Sequence, residues 1–316
     1  MNIVLLEDLA VPEEVLDSYR KKLEEQGHTL QVYKRTGDLK TLQEEIRPAD
    51  ALIVANMPLP WKALEGAEHL KYIDVAFTGT DHIPVREAAA RGIQVSNASG
   101  YATESVAELA LCFALELLRR LPSLQEAGKA GGTKQGLRGR LLKDRTVGIV
   151  GAGHIGKRTA ELFNALGAHV LAFNRSAVSD SAIEEQVPLK ELLQRSDVVS
   201  LHLPLTESTR GLIGEEELQS MKPDAFLINT ARGPVVDSQA LAQALEQGTI
   251  AGAALDVFDT EPPLPADDPL LQAPRTILTP HMGFDSEESM LARAEIVFDN
   301  LQNWLDGHPV NLVSAE

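Results

Sequence analysis

This sequence predicts an α/β protein with two doubly wound parallel-sheet domains, and three observations carry that expectation. Short apolar, β-branched runs alternate with helix-spaced segments along the chain, the pattern of βαβ units whose sheet is covered on both faces. One of those runs opens directly into a glycine-rich turn followed by a helical pattern. At 316 residues the chain also exceeds one core of typical size, so two domains are expected.

In the first hundred residues the runs at 2–7, 30–33, 51–55, 72–76 and 93–97 read as strands, and 12–26, 38–47 and 84–91 as helices. No glycine-rich phosphate loop follows any of these strands, so the first domain is not the main dinucleotide site. A long helix comes next. Ser105 and Glu108 have capping-box spacing at its start, and Val106, Leu109, Ala110, Phe113, Leu117 and Leu121 repeat at helical intervals. Arg119 and Arg120 suit its C-terminal dipole, and Pro122 stops it. Cys112 lies on this apolar helix and reads as core packing. The Gly-, Lys- and Arg-rich stretch 127–140 is expected to be an extended arm or loop.

From Thr146 the alternation resumes, with strands near 170–173, 198–203, 225–230, 251–257 and 276–279. The last pattern, 286–305, puts Met290, Leu291, Ala294, Val297, Leu301 and Trp304 on one helical face that needs a partner surface. Packing back on the first domain would make that domain discontinuous.

Composition narrows the function classes. A formal charge of −17 disfavours nucleic acid and anionic membranes as partners and favours a small molecule held by a few local cations. With 44% hydrophobic and 24% charged residues the chain reads as an ordinary globular protein. The single Cys112 forms no internal disulfide, the N-terminus turns acidic too soon for a signal peptide, and no apolar run reaches membrane-spanning length. A reducing, cytoplasmic location is expected.

The stretch Thr146-Val-Gly-Ile-Val-Gly-Ala-Gly-His-Ile-Gly156 is a dinucleotide fingerprint in its required strand, turn and helix context. Gly151 permits the tight turn, Gly153 lets the backbone approach a pyrophosphate, and Gly156 lets the helix pack on the strand. The helix start at His154 and Ile155 then offers N–H donors to the phosphates. Ligands of such sheets collect beyond the C-terminal strand ends, where Arg232, Glu261 and His281 each follow a strand. An arginine can hold a carboxylate and polarise a ketone, and a histidine can deliver the proton to a developing alkoxide. A nearby carboxylate would favour the imidazolium form. Hydride comes from the cofactor, so no metal is required. Taken singly each residue has a plainer reading: Arg232 in a surface turn, Glu261 in a solvated loop, His281 satisfied at a strand end. The other histidines, His202 among them, have no comparable neighbours, and His154 matters for its backbone.

Past the second strand of this unit stand Asn174, Arg175 and Ser176, where an acidic residue would bind the ribose 2′-hydroxyl of NAD. A 2′-phosphate would meet a cation and neutral donors there, so NADP(H) is the preferred cofactor and NAD(H) the alternative. Arg175 could equally be a solvated loop charge.

These residues carry a resemblance over essentially the whole length. The chain resembles the D-isomer-specific 2-hydroxyacid dehydrogenase family in Val147–Gly156, in His202-Leu-Pro-Leu-Thr206, and in the block from Met221 to Gly233. Further matches are Ala254–Pro262, Thr279-Pro-His281, Arg91–Asn97 and Ser105-Val-Ala-Glu108. The resemblance implies that Arg232 binds substrate, that Glu261 pairs with His281, and that His281 is the proton donor. It implies that Asp256, otherwise a strand-end cap, holds the nicotinamide carboxamide, with Thr230 and the backbone of Ala231 and Arg232 beside the ring. Leu203 and Pro204, from the second motif, and Thr103 fall among the cofactor contacts, and backbone N–H groups at Thr78 and Gly79 bind the substrate carboxylate.

Family architecture implies a Rossmann-type cofactor domain, 99–284, inserted into a flavodoxin-like substrate domain, 1–98 and 285–316. It also implies domain closure over the substrate and a homodimer joined through the long helix and arm. Reduction of glyoxylate, hydroxypyruvate or another small 2-keto acid is the leading expectation. The alternatives are a dinucleotide sensor or corepressor-like protein and a phosphite-type dehydrogenase. Glu261 stands where formate enzymes of the family carry glutamine. The stretch Ala55-Asn-Met-Pro-Leu59 lacks the arginine of phosphoglycerate dehydrogenases, and no regulatory domain follows Glu316, so phosphoglycerate is a disfavoured substrate.

Overall fold

Why the strands form where they do is clearest from burial. In the computed structural model, which describes residues 1–314, the inner strands of each sheet are largely apolar runs buried on both faces, as parallel sheets require, and the edge strands are partly exposed. The chain opens with β1 (Asn2–Leu5), α1 (Glu13–Glu25), β2 (Thr29–Val32), α2 (Leu39–Ile46), β3 (Ala51–Val54), β4 (Tyr72–Val75), α3 (Val85–Ala90) and β5 (Gln94–Asn97). Next come α4 (Thr103–Arg119), α5 (Leu121–Lys129), β6 (Thr146–Val150), α6 (His154–Ala165), β7 (His169–Phe173), β8 (Glu185–Gln186), α7 (Leu189–Arg195) and β9 (Val198–Leu201). The chain continues with α8 (Glu215–Ser220), β10 (Phe226–Asn229), α9 (Ser238–Gln247), β11 (Gly252–Leu255), α10 (Pro269–Gln272), β12 (Thr276–Leu278) and α11 (Glu287–Leu305).

The chain divides into two compact units, Met1–Ala102 with Asp285–Glu316, and Thr103–Phe284. In unit 1 five parallel strands run in the order β2-β1-β3-β4-β5, the flavodoxin-like order. In unit 2 seven parallel strands run β12-β11-β10-β9-β6-β7-β8. Counted from β6, this is the doubly wound dinucleotide-binding order with one strand added, and the order reverses at β6, between β9 and β7.

Helix α11 closes unit 1. Ser286 caps it by accepting the Ser289 N–H, and Met290, Ala294, Val297, Phe298 and Leu301 are buried. Trp304 stacks on Tyr72 with ring centroids 4.7 Å apart, and Phe298 on Tyr19 at 4.0 Å. Leu291, expected on the same face, is 46% exposed. The buried stripe turns instead through Arg293 and Asn300, which bond the Leu9 carbonyl and Asp74.

Two expectations for α4 are corrected. Ser105 is not its cap: the helix already begins at Thr103, and the Ser105 hydroxyl donates to the Gly283 carbonyl at 2.7 Å. Cys112 is exposed and not core packing, because the buried face is made by Val106, Ala107, Ala110, Phe113, Ala114, Leu117 and Leu118. Pro122 occupies the first turn of α5, where its missing N–H costs nothing. The helix runs to Lys129, so only the later part of the expected arm is irregular.

Candidate active site

The glycine turn is built by close approaches. Gly151 has φ +99°, and a Cβ there would lie 2.6 Å from the His202 carbonyl oxygen. A Cβ on Gly156 would lie 2.0 Å from the Gly151 carbonyl oxygen, so α6 packs hard against the turn. Gly153 differs, since a Cβ there meets nothing within 4 Å. Gly153 is also the N-cap of α6, without a side-chain cap, and the first turn at His154 and Ile155 keeps N–H groups with no helical acceptor. An open approach onto uncapped N–H groups is the cradle a pyrophosphate fits.

Flanking segments are tied to this turn. Asn174 Oδ1 accepts the Ala152 N–H at 3.2 Å, and its Nδ2 donates to Ser176 Oγ at 3.1 Å. Gln186 Nε2 donates to the carbonyls of Asn174 and Ser176, both at 3.0 Å. Residues 174–176 thus form a braced turn beside the glycines, with the Arg175 side chain exposed and no carboxylate among the three. On the other flank, the residues before Leu203 and Pro204 pack beneath Gly151. There His202 Nε2 meets Ser200 Oγ at 2.9 Å, its buried Nδ1 has no hydrogen-bond partner, and burial pushes its pKa down to about 3.

Three adjacent strands, β10, β11 and β12, carry the reactive side chains at their C-terminal ends. After β10, Asn229 Oδ1 accepts the Ala231 N–H at 3.0 Å and its Nδ2 donates to the Arg232 carbonyl at 2.9 Å. This amide, only 1% exposed, folds the Thr230–Arg232 turn, and no spacing in the sequence marks it. Arg232 is half-buried, its Nη1 donating to the Ala231 carbonyl at 2.8 Å, and Thr230 Oγ1 is buried with no hydrogen-bond partner. That orphaned hydroxyl fits a ligand group arriving beside it. Gly233 admits the next loop: a Cβ there would sit 1.9 Å from the Phe258 carbonyl carbon and oxygen.

After β11, Asp256 reaches across to the segment after β12. Its Oδ1 accepts from Thr279 Oγ1 at 2.6 Å and the Met282 N–H at 2.9 Å, and its Oδ2 from the Gly283 N–H at 2.7 Å. Asp256, whose plainer reading is a strand-end cap, thus clamps the loop that bears His281. Within that loop His281 has φ +57°, and its Nδ1 lies 2.8 and 3.0 Å from the two Glu261 carboxylate oxygens. The imidazole is 12% exposed while Glu261 is 57% exposed, and Phe284 meets the imidazole edge-on at 5.4 Å.

The rim of unit 2 thus carries Arg232, Glu261, His281, Asp256 and the glycine turn, with Thr103 as the first residue of α4. Thr78 and Gly79 belong to unit 1, in the loop after β4, where Asn97 Nδ2 donates to the Thr78 carbonyl at 2.7 Å. No group of three or more metal-ligating side chains exists among the described residues, and no helix there is long and apolar enough to cross a membrane.

A nucleotide cradle sharing its sheet edge with a guanidinium and a carboxylate-held imidazole defines a dinucleotide-dependent oxidoreductase. Residues 111–283 match the family model for the NAD binding domain of D-isomer specific 2-hydroxyacid dehydrogenases. A glyoxylate reductase of Korarchaeum cryptofilum is 40% identical over 287 residues, covering 88% of this chain and 86% of its own. A hydroxypyruvate reductase of Blautia hydrogenotrophica is 33% identical over 327 residues, covering 99% of this chain and all of its own. Among solved structures, an acyclic imino acid reductase in complex with NADPH and D-Arg superposes with a TM-score of 0.91 at 29% identity, over 99% of this chain and 100% of that one. The chain belongs to the D-isomer-specific 2-hydroxyacid dehydrogenase family.

Proposed function

We propose that this protein reduces small 2-keto acids of the glyoxylate and hydroxypyruvate type to D-2-hydroxy acids, with NADP(H) preferred over NAD(H). The observation that carries the reading is the contact of the His281 imidazole with the Glu261 carboxylate on the same rim as Arg232. The relatives that are glyoxylate and hydroxypyruvate reductases support the substrate class.

When bound, the dinucleotide supplies the hydride that reduces C2. Gly153, His154 and Ile155 would hold its pyrophosphate, and Thr230 and Ala231 would line the nicotinamide. Asp256 has acceptor capacity left for the carboxamide beyond its three intramolecular bonds. Arg232 grips the substrate carboxylate and polarises the ketone with its planar fork of donors. His281 gives the carbonyl oxygen its proton as charge develops there. Glu261 accepts the Nδ1–H, which fixes the ring and assigns proton exchange to Nε2. The braced 174–176 turn offers a 2′-phosphate a cation and neutral donors, with no carboxylate to repel it.

In the same reading two copies associate through α4 and the following arm, where Leu121 and Leu141 are 47% and 69% exposed. Steady-state reduction of glyoxylate and hydroxypyruvate, with NADPH and NADH in parallel, tests the reaction. His281→Ala should lower kcat by about a hundredfold or more, while NADPH binding, read by its fluorescence, persists. Undiminished turnover in that variant removes His281 from the mechanism.

A further inference from the structure

Beside the glycine turn, the short edge strand β8 carries a side chain to which the mechanism above gives no part. Strand β8 lies at the edge of the unit 2 sheet and pairs with β7, Leu171 against Glu185 and Ala172 against Gln186. It is anchored from both ends: the buried Val187 donates its N–H to the Ala172 carbonyl at 2.9 Å, and Glu185 meets Arg195 of α7 at 2.8 Å. Gln186 is exposed, yet its amide uses both donors and an acceptor. Nε2 donates to the Asn174 and Ser176 carbonyls, both at 3.0 Å, and Oε1 accepts the Val178 N–H at 2.9 Å. One glutamine therefore holds three alternate residues of the loop after β7.

This brace sets which polar groups of the loop remain for a ligand. Asn174 stands where an acidic residue would meet a ribose hydroxyl, but its side chain is engaged within the protein. Its Oδ1 accepts the Ala152 N–H at 3.2 Å, and its Nδ2 donates to the Ser176 carbonyl at 3.2 Å and to Ser176 Oγ at 3.1 Å. Three acceptors that would repel an anion, the carbonyls of 174 and 176 and the Asn174 amide oxygen, thus each receive an N–H. Donors are left over. Ser176 Oγ accepts from Asn174, which leaves its O–H to donate, and the exposed Arg175 makes no hydrogen bond or ion pair among the described residues. The neighbouring carboxylates are engaged as well: Asp180 accepts the Ala182 N–H at 2.9 Å, and Glu184 lies 2.9 Å from His169 Nδ1.

We propose that Gln186 is a positioning residue for coenzyme selection. By holding the carbonyls of 174 and 176 on its own amide, it keeps the loop in a form that offers Arg175 and the Ser176 hydroxyl to a phosphomonoester on the ribose. A site arranged to bond that group loses those bonds when the group is missing, which tells a dinucleotide with a 2′-phosphate from one without. With the amide gone, the two carbonyls are released to turn toward the same anion. This inference rests on the NADP(H) preference proposed above.

The test titrates the full-length wild type, Gln186→Met and Gln186→Glu with adenosine 2′,5′-bisphosphate and adenosine 5′-monophosphate, which differ only in the 2′-phosphate. Calorimetry gives the two dissociation constants, fluorescence titration with NADPH and NADH repeats the comparison on the whole dinucleotide, and melting temperatures are measured alongside. Wild type should bind the bisphosphate the more tightly. Gln186→Met keeps the side-chain length and removes all three hydrogen bonds, so that preference should fall about tenfold while the monophosphate constant stays nearly unchanged. Gln186→Glu keeps an acceptor for Val178, loses both donors and adds a negative charge, so its preference should fall further. Because Gln186 is an exposed edge residue, both variants should melt close to wild type. An unaltered preference in the two variants would overturn the role of Gln186 alone, as would a parallel loss for both nucleotides or a failure of both variants to fold. Equal affinity for the two nucleotides in the wild type would instead overturn the NADP(H) preference on which the inference rests.

Discussion

Two buried ionisable side chains give this protein opposite pH signatures. Asp74, fully buried in unit 1 beside the Tyr72 hydroxyl, accepts from Asn300 Nδ2 at 3.2 Å, and burial pushes its carboxyl well above the ordinary carboxylate range. The native state therefore keeps a proton that the unfolded chain releases near pH 3.9. Its contribution is fully present below that pH and is lost as pH rises toward the native pKa. His202 runs the other way: with a native pKa of about 3 its contribution is complete above the unfolded value of roughly 6.5 and drains away as pH falls from there. Asp74→Asn keeps the carbonyl for Asn300 and removes the proton linkage. Its melting temperature should exceed wild type by a few degrees at pH 8, with the gap closing toward pH 4, since each pH unit of linkage is worth about 1.4 kcal/mol. Melts across that range check this; a gap independent of pH would mean that linkage plays no part.

At the scale of elements, two glycines in comparable turns have different work to do. Gly233 lets the loop after β10 press on the Phe258 backbone, and that contact keeps Arg232 beside the loop bearing Glu261. Gly233→Ala would force a backbone shift, and displacement of about 1 Å at a reacting group costs roughly a hundredfold in rate. We expect that loss in kcat/KM together with a lower melting temperature. Gly153→Ala meets open space, so it should leave stability nearly unchanged and weaken NADPH binding, the space being what the pyrophosphate needs. Equal stability losses in the two variants would contradict this division.

Elements are also where the sequence was most and least readable. Buried parallel strands must be continuous apolar runs, so all five strands of unit 1 fall within two residues of their expected ends. Ser105 misled because its hydroxyl serves a tertiary partner, the Gly283 carbonyl, that no local pattern reveals. Cys112 misled because the apolar character of α4 says which residue types it contains and not which flank reaches the core. In the site, Arg232, Glu261 and His281 were legible since reactive types stand at strand ends. Asn229 was not, because its partners are backbone N–H and C=O groups inside its own turn, which leave no mark in spacing.

For the whole molecule, the division of the chain makes a thermodynamic statement. Unit 1 is completed by residues from both ends of the sequence, while unit 2 is one continuous stretch with its own hydrophobic clusters. The glycine turn, residues 174–176, 202–204 and 230–232, and Asp256 all lie in unit 2. A dinucleotide held there stabilises the native form of that unit by mass action, about 2.7 kcal/mol at a hundred times its Kd. For a domain of this size each kcal/mol is worth roughly 2–4 °C, so saturating NADPH should raise the melting of unit 2 by about 5–10 °C. Glyoxylate alone should produce no comparable rise, because the larger share of the binding surface is the dinucleotide's. Hydrogen exchange assigns the effect to a region: NADPH should slow exchange in β6 and the first turn of α6 most strongly. If protection instead concentrated in β1 and β2 of unit 1 and spared residues 146–156, the dinucleotide would have to bind elsewhere, and Arg232, Glu261 and His281 would lose the hydride on which their chemistry depends.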